Sequence, residues 1–354
     1  MRGGSCDARA SHQTLTLPSP LIKKGRGGSR AAESTSGSDG EGFEDAPYTQ
    51  PSPLKKGEAI LPRMPAQRGV RITTLLQRHV TAATFHCMSD ARPIGVFDSG
   101  IGGLTVVKAL RDLLPNEDIS YLGDTARIPY GSRSPATVER YSVQMAEMLV
   151  TENAKIVVVA CNSASSVALP KLKGNLPVPV IGVIEPGAQA AIAATRNRHV
   201  GVIGTRATIR SGAYEKALRA LDGDVRVSSC ACPLLVPLIE EGLLEDEVTD
   251  RMIARYLSPM TADSIDTLVL GCTHYPLLSR AIARSLGDTV RLVDSAMNCA
   301  RAVQELLDRQ ALRAPVENRG SLQVALTDKP DNFLRVAREA LKLDVGEVQL
   351  REVS

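Results

Sequence analysis

Ile156-Val157-Val158-Val159-Ala160-Cys161-Asn162-Ser163-Ala164-Ser165-Ser166 is the stretch on which the fold turns. Its β-branched run is apolar on both faces, which predicts a central strand covered by helices on each side. Cys161 then stands at the carboxyl end of that strand, where open α/β sheets place their ligand sites. The small residues after it can open a helix whose free N–H groups favour a thiolate or a bound carboxylate. Taken alone, a Cys after an apolar strand is more often an inert core residue. A second copy changes the weighing: Thr267-Leu268-Val269-Leu270-Gly271-Cys272-Thr273-His274-Tyr275-Pro276 again runs an apolar strand into Cys, a hydroxyl residue and then His. Two thiols in matching contexts read as two halves of one site.

At 354 residues the chain can hold two domains of ordinary size. Hydrophobic residues make up 43%, and no apolar run approaches the roughly 20 residues of a membrane span. Aromatics are only 3% and Trp is absent, which argues against a stacking platform for single-stranded nucleic acid. The formal charge of +3 comes from the first 87 residues, and the remainder is slightly acidic, so the folded part carries no basic excess. Seven Cys, an odd number without framework spacing or a secretory signal, indicate reduced thiols in a reducing compartment.

Residues 1 to 91 read as a low-complexity extension rich in Gly, Ser, Pro and basic residues, with Pro18-Ser19-Pro20-Leu21 repeated crudely as Pro51-Ser52-Pro53-Leu54. Such a segment cannot bury enough apolar area to offset its ordering entropy, so it is expected to be disordered, with at most a short helix from Arg71 to Phe85. Its acidic residues make it a poor transit peptide, and Met88 is the expected natural start.

From Ile94 the pattern alternates strand and helix. Ile94 to Ser99 enters the turn Gly100-Ile101-Gly102-Gly103, Leu104 to Leu114 has helical apolar spacing, and Ile119 to Asp124 is a strand. A polar loop follows, then a helix from Pro135 to Asn153, the Cys161 strand, and a strand from Val178 to Ile184 that leaves Glu185 at its end. His199 to Thr205 resembles the opening strand, and the distance from it to Cys272 is similar to that from the first strand to Cys161, so the chain contains a pseudo-repeat. The expected fold class is α/β, with two similar domains of mainly parallel sheets placed pseudo-symmetrically about a cleft: residues 92–187 with 295–354, and residues 188–294. Leu322 to Leu326, Asp331 to Leu341 and Val345 to Leu350 read as a strand, a helix and a short last strand.

Two thiols on opposite faces of one substrate suit inversion at a carbon bearing an acidic proton. One, as thiolate, removes the α-proton, and the other, as thiol, delivers a proton to the opposite face. A free Cys has a pKa near 8.5, so the thiolate needs a cation or helix N-terminus, and Asp98, Glu185 or His274 could relay protons. The carbanion demands N–H and hydroxyl donors around the α-carboxylate, a requirement that Asn162, Ser163 and Thr273 fit.

Asp98-Ser99-Gly100-Ile101-Gly102-Gly103, Gly123-Asp124-Thr125 with Pro129-Tyr130-Gly131, Ala160-Cys161-Asn162-Ser163, Glu185-Pro186-Gly187 and Gly271-Cys272-Thr273-His274-Tyr275-Pro276 together closely resemble the glutamate racemases of the cofactor-independent Asp/Glu racemase superfamily. The motifs occur in family order across roughly residues 93 to 345. The resemblance implies interconversion of L- and D-glutamate, supplying D-glutamate for peptidoglycan in a bacterial cytoplasm. It implies Cys161 and Cys272 as the catalytic thiols, assisted by Asp98, Asp124, Glu185 and His274. Ser99, Pro129, Tyr130, Gly131, Asn162, Ser163 and Thr273 match substrate-contacting positions. Ser163 stands where Thr is commoner and Arg133 where Lys is, changes that keep the hydroxyl and the charge.

Plainer readings stand beside these. Asp98-Ser99 could be a helix cap, Asp124 could merely fix a loop, Glu185 could be solvated, and His274 could be a structural histidine. Cys230 and Cys232 form a C-x-C with no second pair at zinc spacing and read as structural. No phosphate loop or nicotinamide fingerprint is present, so the expected cofactor is none and the expected metal none. The expected partner is a small-molecule substrate, glutamate, with no nucleic acid and no membrane, and a homodimer is compatible with this reading. The alternatives are a racemase of aspartate or another acidic amino acid, and a non-catalytic binding protein whose thiols pack or hold metal.

Overall fold

The structure is a computed structural model that describes residues 89–329 and 333–353. The extension, its short helix and the Met88 start lie outside the described residues. Folded sequence opens with β1 (Ile94–Asp98), a strand buried at every position. Parallel β2 (Ile119–Gly123) and β3 (Ile156–Val159) pair with it on either side. β4 (Val180–Gly182), β9 (Leu322–Leu326) and β10 (Val348–Leu350) extend this sheet to six strands in the order β10-β9-β2-β1-β3-β4. A second parallel sheet is built from β5 (His199–Gly204), β6 (Arg226–Ala231), β7 (Thr267–Gly271) and β8 (Arg291–Asp294), in the order β6-β5-β7-β8.

Helices supply the crossovers that parallel strands require. In the first sheet these are α1 (Leu104–Leu113), α2 (Pro135–Thr151) and α3 (Asn162–Asn175), with α4 (Ile184–Ala194) leading into β5. α5 (Arg206–Ser211), α6 (Ala213–Leu221), α7 (Leu235–Glu240), α8 (Glu247–Ala262) and α9 (Ser279–Leu286) serve the second sheet. α10 (Ser295–Arg309) then returns the chain to the first sheet, packing on α1 and α4. Central β1, β3 and β7 are buried along their whole length because both faces are covered, the physical reason for their mostly apolar runs.

Register fixes what stands at the strand ends. Asp98 pairs beside Gly123 and Phe97 beside Val159, so Asp98, Asp124 and Cys161 emerge at one edge of the first sheet. Gly204 pairs beside Gly271, which brings Thr205 and Cys272 to one edge of the second. At the opposite ends of the strands a buried ion pair closes the bottom of the first sheet. Lys155 Nζ lies 2.6 Å from Glu117 and also donates to the Asp90 carbonyl, while the other Glu117 oxygen accepts from the Ala314 amide. Each charge is thereby both paired and hydrogen-bonded, as burial demands.

Three expectations are revised. The strand expected to run from Val178 to Ile184 ends at Gly182, and Ile184 already begins α4. Pro186 is no obstacle, because a proline in the first helical turn gives up only an N–H that has no intrahelical partner. The expected Asp331–Leu341 helix is, where described, one turn of α11 (Phe333–Arg335) continued by a π-helical turn over Val336–Ala340. The last strand is shorter than expected, at Val348–Leu350. Among the described residues, no helix is long and apolar enough to cross a membrane.

Candidate active site

The two thiols end up in one cavity of about 260 Å³. Ser99 and Gly100 after β1, the Ile128–Ser132 loop after β2 and Cys161–Ser163 after β3 form one wall. Thr205 and Arg206 after β5, the segment Pro233 to Glu240 and Cys272–His274 after β7 form the other. Both cysteines are almost wholly buried, each 4% exposed. Cys161 is the residue immediately preceding α3, so its sulfur meets the free amides of the first helical turn.

The partners of the two thiols differ in charge. Cys161 Sγ donates to Ser99 Oγ at 3.5 Å. Burial and the nearby Asp98 charge push its pKa up to about 12, against the lowering effect of hydrogen bonds from Ser99 and the Ala164 amide. Cys272 Sγ instead lies 3.8 Å from His274 Nδ1, and His274 Nε2 lies 3.1 Å from Glu240 Oε1. Burial acts to lower the His274 pKa, but the hydrogen bonds and charges of Cys272 and Glu240 outweigh it and hold the imidazole up at about 10. At neutral pH Cys161 is therefore held as the thiol, and His274 as an imidazolium beside Cys272.

Asp98 is fully buried behind Ser99, where one carboxylate oxygen accepts from the Gly100 and Gly103 amides at 2.9 and 3.0 Å. This is the capping role considered from the sequence, yet the other oxygen, Oδ1, has no hydrogen-bond partner within the protein. Asp124 is also fully buried, outside the cavity lining. It accepts from the Tyr130 hydroxyl, from Arg127 Nε and from Thr327 Oγ1. It thereby orients Tyr130, whose ring forms part of the cavity wall with Pro129 and Gly131. On the donor side, Asn162 Oδ1 accepts from Tyr214, and its buried Nδ2 has no partner. A buried amide donor left unpaired costs about 1–3 kcal/mol, which a bound carboxylate would recover. Ser163 Oγ and Thr205 Oγ1 are 2.9 Å apart across the cavity walls.

Glu185 requires correction. It sits in the first turn of α4 with 59% of its side chain exposed, ion-paired at 3.0 Å with Lys173, and it takes no part in the cavity lining. Starting the helix at Ile184 rotates the carboxylate outward. Glu185→Gln should leave racemase kinetics within about twofold of the unaltered protein, as expected for an exposed ion pair; a tenfold loss in a steady-state assay would return Glu185 to the site. Sequence reasoning passed over Glu240, Thr205, Arg206 and Tyr214. Glu240 closes α7 and sets a carboxylate on His274, where the sequence had offered only Glu185 as a further acid, and no motif surrounds it. Thr205 was legible in principle, because it follows β5 as Ser99 follows β1.

The sequence profile of the Asp/Glu/Hydantoin racemase family matches residues 103–303. The chain is 50% identical to a glutamate racemase of Geobacter metallireducens over 257 residues, covering 73% of this chain and 95% of that protein. It is 43% identical to one of Chlorobium phaeobacteroides over 76% of this chain and 99% of the relative. Among solved structures, a Bacillus anthracis glutamate racemase isoform superposes with a TM-score of 0.70 at 40% identity, over 74% of this chain and 97% of that one. A Francisella tularensis glutamate racemase in complex with D-glutamate gives a TM-score of 0.70 at 37% identity, over 75% and 99% of the two chains. The paired strand-end cysteines and the parallel sheets that carry them thus fall within an extended likeness, and the chain belongs to the glutamate racemases of the Asp/Glu/Hydantoin racemase family.

Proposed function

We propose that this protein racemises glutamate by a two-thiol, two-base proton transfer in the cavity between Cys161 and Cys272. The observation that carries the proposal is the difference between the partners of the two thiols, a buried carboxylate, Asp98, behind Cys161 and the His274 imidazole 3.8 Å from Cys272. A mechanism with two bases needs one base and one acid ready at the same moment, and this asymmetry supplies them.

Cys272, as thiolate against His274, removes the α-proton of the enantiomer that presents it on that face, breaking the Cα–H bond and forming S–H. The electron pair left on Cα delocalises into the α-carboxylate, which Asn162 Nδ2, Ser163, Thr273 and the first amides of α3 surround with donors. Cys161 then gives its proton to the opposite face of Cα and becomes the thiolate, stabilised by Ser99 and those same amides. The reverse reaction exchanges the two roles. Asp98 accepts the Cys161 proton through Oδ1 when that thiol must begin as the base, while His274, kept charged by Glu240 until then, gives its proton to Cys272 so that this thiol is ready as the acid. Pro129, Tyr130, Gly131 and Ser99 shape the wall for the side-chain carboxylate, with Asp124 holding Tyr130 in place, and Arg206 adds a cation at the rim.

Two related solved structures of glutamate racemases, 37% and 29% identical to this chain, are complexes with D-glutamate and with L-glutamate. We further read residues 92–187 with 295–354 and residues 188–294 as the two domains that enclose it, in line with the membership of the two sheets. With the activity goes the supply of D-glutamate for peptidoglycan in a bacterial cytoplasm. The decisive experiment incubates the protein with L-glutamate in D₂O, without added cofactor. Optical rotation should decay to zero while NMR shows deuterium entering the α-position of the product. A folded sample that neither exchanges nor inverts glutamate, yet inverts aspartate, would reassign the substrate.

A further inference from the structure

The carboxylate that keeps His274 charged sits at the end of a short helix. α7 spans only Leu235–Glu240, and the chain turns sharply after it through Gly242, whose φ is +82°. The turn is held locally by the Gly242 amide donating to the Ile239 carbonyl at 2.9 Å and the Leu243 amide donating to the Leu238 carbonyl at 2.9 Å. A helix this short has little stability of its own. The placement of Glu240 therefore depends on what else grips the turn.

That grip comes from a distant part of the chain. Arg335, in α11, donates from Nη2 to the main-chain carbonyl of Glu240. The guanidinium occupies the space left by the missing side chain of Gly242, where an added methyl group would come within 2.2 Å of Nη1. Arg335 is itself firmly rooted. Its neighbours Phe333, Val336 and Ala337 are 1%, 4% and 0% exposed and belong to the hydrophobic cluster that also contains Tyr121, Val324 and Leu326 of the first sheet. Leu235 and Ile239 of α7 pack in a different cluster, with Cys272, Tyr275 and the strands of the second sheet. The Arg335 side chain thus ties the element that carries the Glu240–His274–Cys272 chain to the core of the other sheet.

We propose that Arg335 is a positioning residue for racemisation: by holding the Glu240 carbonyl it fixes the Glu240 carboxylate on His274, and through His274 it sets the proton affinity on the Cys272 side of the site. This rests on the glutamate racemase reading above. His274 faces Cys272 and Glu240 on its own side of the cavity, and the uncharged turn at Gly102 on the other. Loosening Glu240 removes one of the two groups that keep the imidazole charged, so the proton on His274 should be lost at lower pH.

The test measures L- and D-glutamate kinetics against pH for the full-length protein and its Arg335→Ala, Arg335→Lys, Glu240→Gln and Arg335→Ala/Glu240→Gln variants, with thermal unfolding alongside. Arg335→Ala should lower kcat/KM about tenfold or more, as misplacement of a supporting group does. The loss must be equal in the two directions, because the equilibrium constant between enantiomers is one. The alkaline limb of the profile should move down by about one pH unit, as expected when a carboxylate partner is lost from an imidazolium. Arg335→Lys, which keeps a donor, should recover part of both effects. In the Glu240→Gln background the arginine substitution should add less than about twofold, since the two act through one chain. An unchanged pH profile in active Arg335→Ala, or an equal loss with and without the Glu240 carboxylate, would overturn the proposal. If Arg335→Ala does not fold, the pH profile of Arg335→Lys decides between the same two outcomes. Inactivity of the unaltered protein on glutamate would instead overturn the functional reading.

Discussion

Cys161→Ala and Cys272→Ala each abolish racemisation, with kcat lowered by roughly 10³-fold or more, at the upper part of what removal of a positioned acid or base costs. The loss is expected in both directions for both variants, because in the two-thiol mechanism proposed above each turnover uses one thiol as base and the other as acid. What should differ is the residual chemistry. With Cys272 intact and Cys161 removed, the enantiomer presenting its α-proton to Cys272 can still be deprotonated and reprotonated on the same face. It should acquire deuterium from D₂O without inverting, while its mirror image stays unlabelled. Removal of Cys272 should reverse the preference, and more slowly, because burial and the Asp98 charge hold the Cys161 proton up at about 12 and Asp98 must first take it. NMR of each pure enantiomer with each variant reads this directly. Labelling of the same enantiomer by both variants, or racemisation within tenfold of the unaltered protein by either, would eliminate the two-face mechanism.

Why this much was readable, and no more, follows from where the chemistry sits. Cys161 and Cys272 stand at the ends of fully buried strands, and a β-branched run broken by small polar residues marks a strand end at any position in a chain. Asp98 and Asp124 follow from the same rule, since register sets Asp98 beside Gly123, the residue before Asp124. Glu240 obeys no such rule. It reaches His274 from 34 residues earlier through the end of a six-residue helix, and helix-end glutamates are common on any surface. Glu185 misled for a related reason: Glu-Pro-Gly reads as a loop after a strand, whereas here the proline is the third residue of a helix and the carboxylate turns outward. The C-terminal strands could be recognised as strands but not placed. β9 lies beside β2 and β10 beside β9 only because the chain returns along α10, and local sequence does not encode that return.

Gly102→Ala should be nearly as damaging as loss of a thiol, although glycine has no chemistry of its own. Gly102 belongs to the turn between Asp98 and α1, and that turn approaches the Cys272 loop so closely that a β-carbon would lie 2.2 Å from Thr273 Oγ1 and 2.5 Å from His274 Nδ1. Neither neighbour is the free end of a flexible chain. Thr273 is 4% exposed and His274 is 6% exposed, while the Thr273 carbonyl accepts from Thr105 Oγ1 at 3.1 Å. His274 is further held by Cys272 and Glu240. The added methyl group must therefore push the imidazole away from the Cys272 sulfur or drive the two walls of the cavity apart. Overpacking of this kind costs about 1–3 kcal/mol of stability, and a displacement of about 1 Å at reacting groups can cost 10²-fold in rate. The expected result is a folded protein, with an unfolding midpoint lowered by a few degrees, whose kcat falls by roughly 10²-fold. Gly100→Ala is the control from the same turn, since its β-carbon would meet only the Ile128 methyl Cγ2, at 3.1 Å. If Gly102→Ala racemises as fast as Gly100→Ala, the two loops are not held at this separation during turnover, and the contact between His274 and the first sheet would have no place in catalysis.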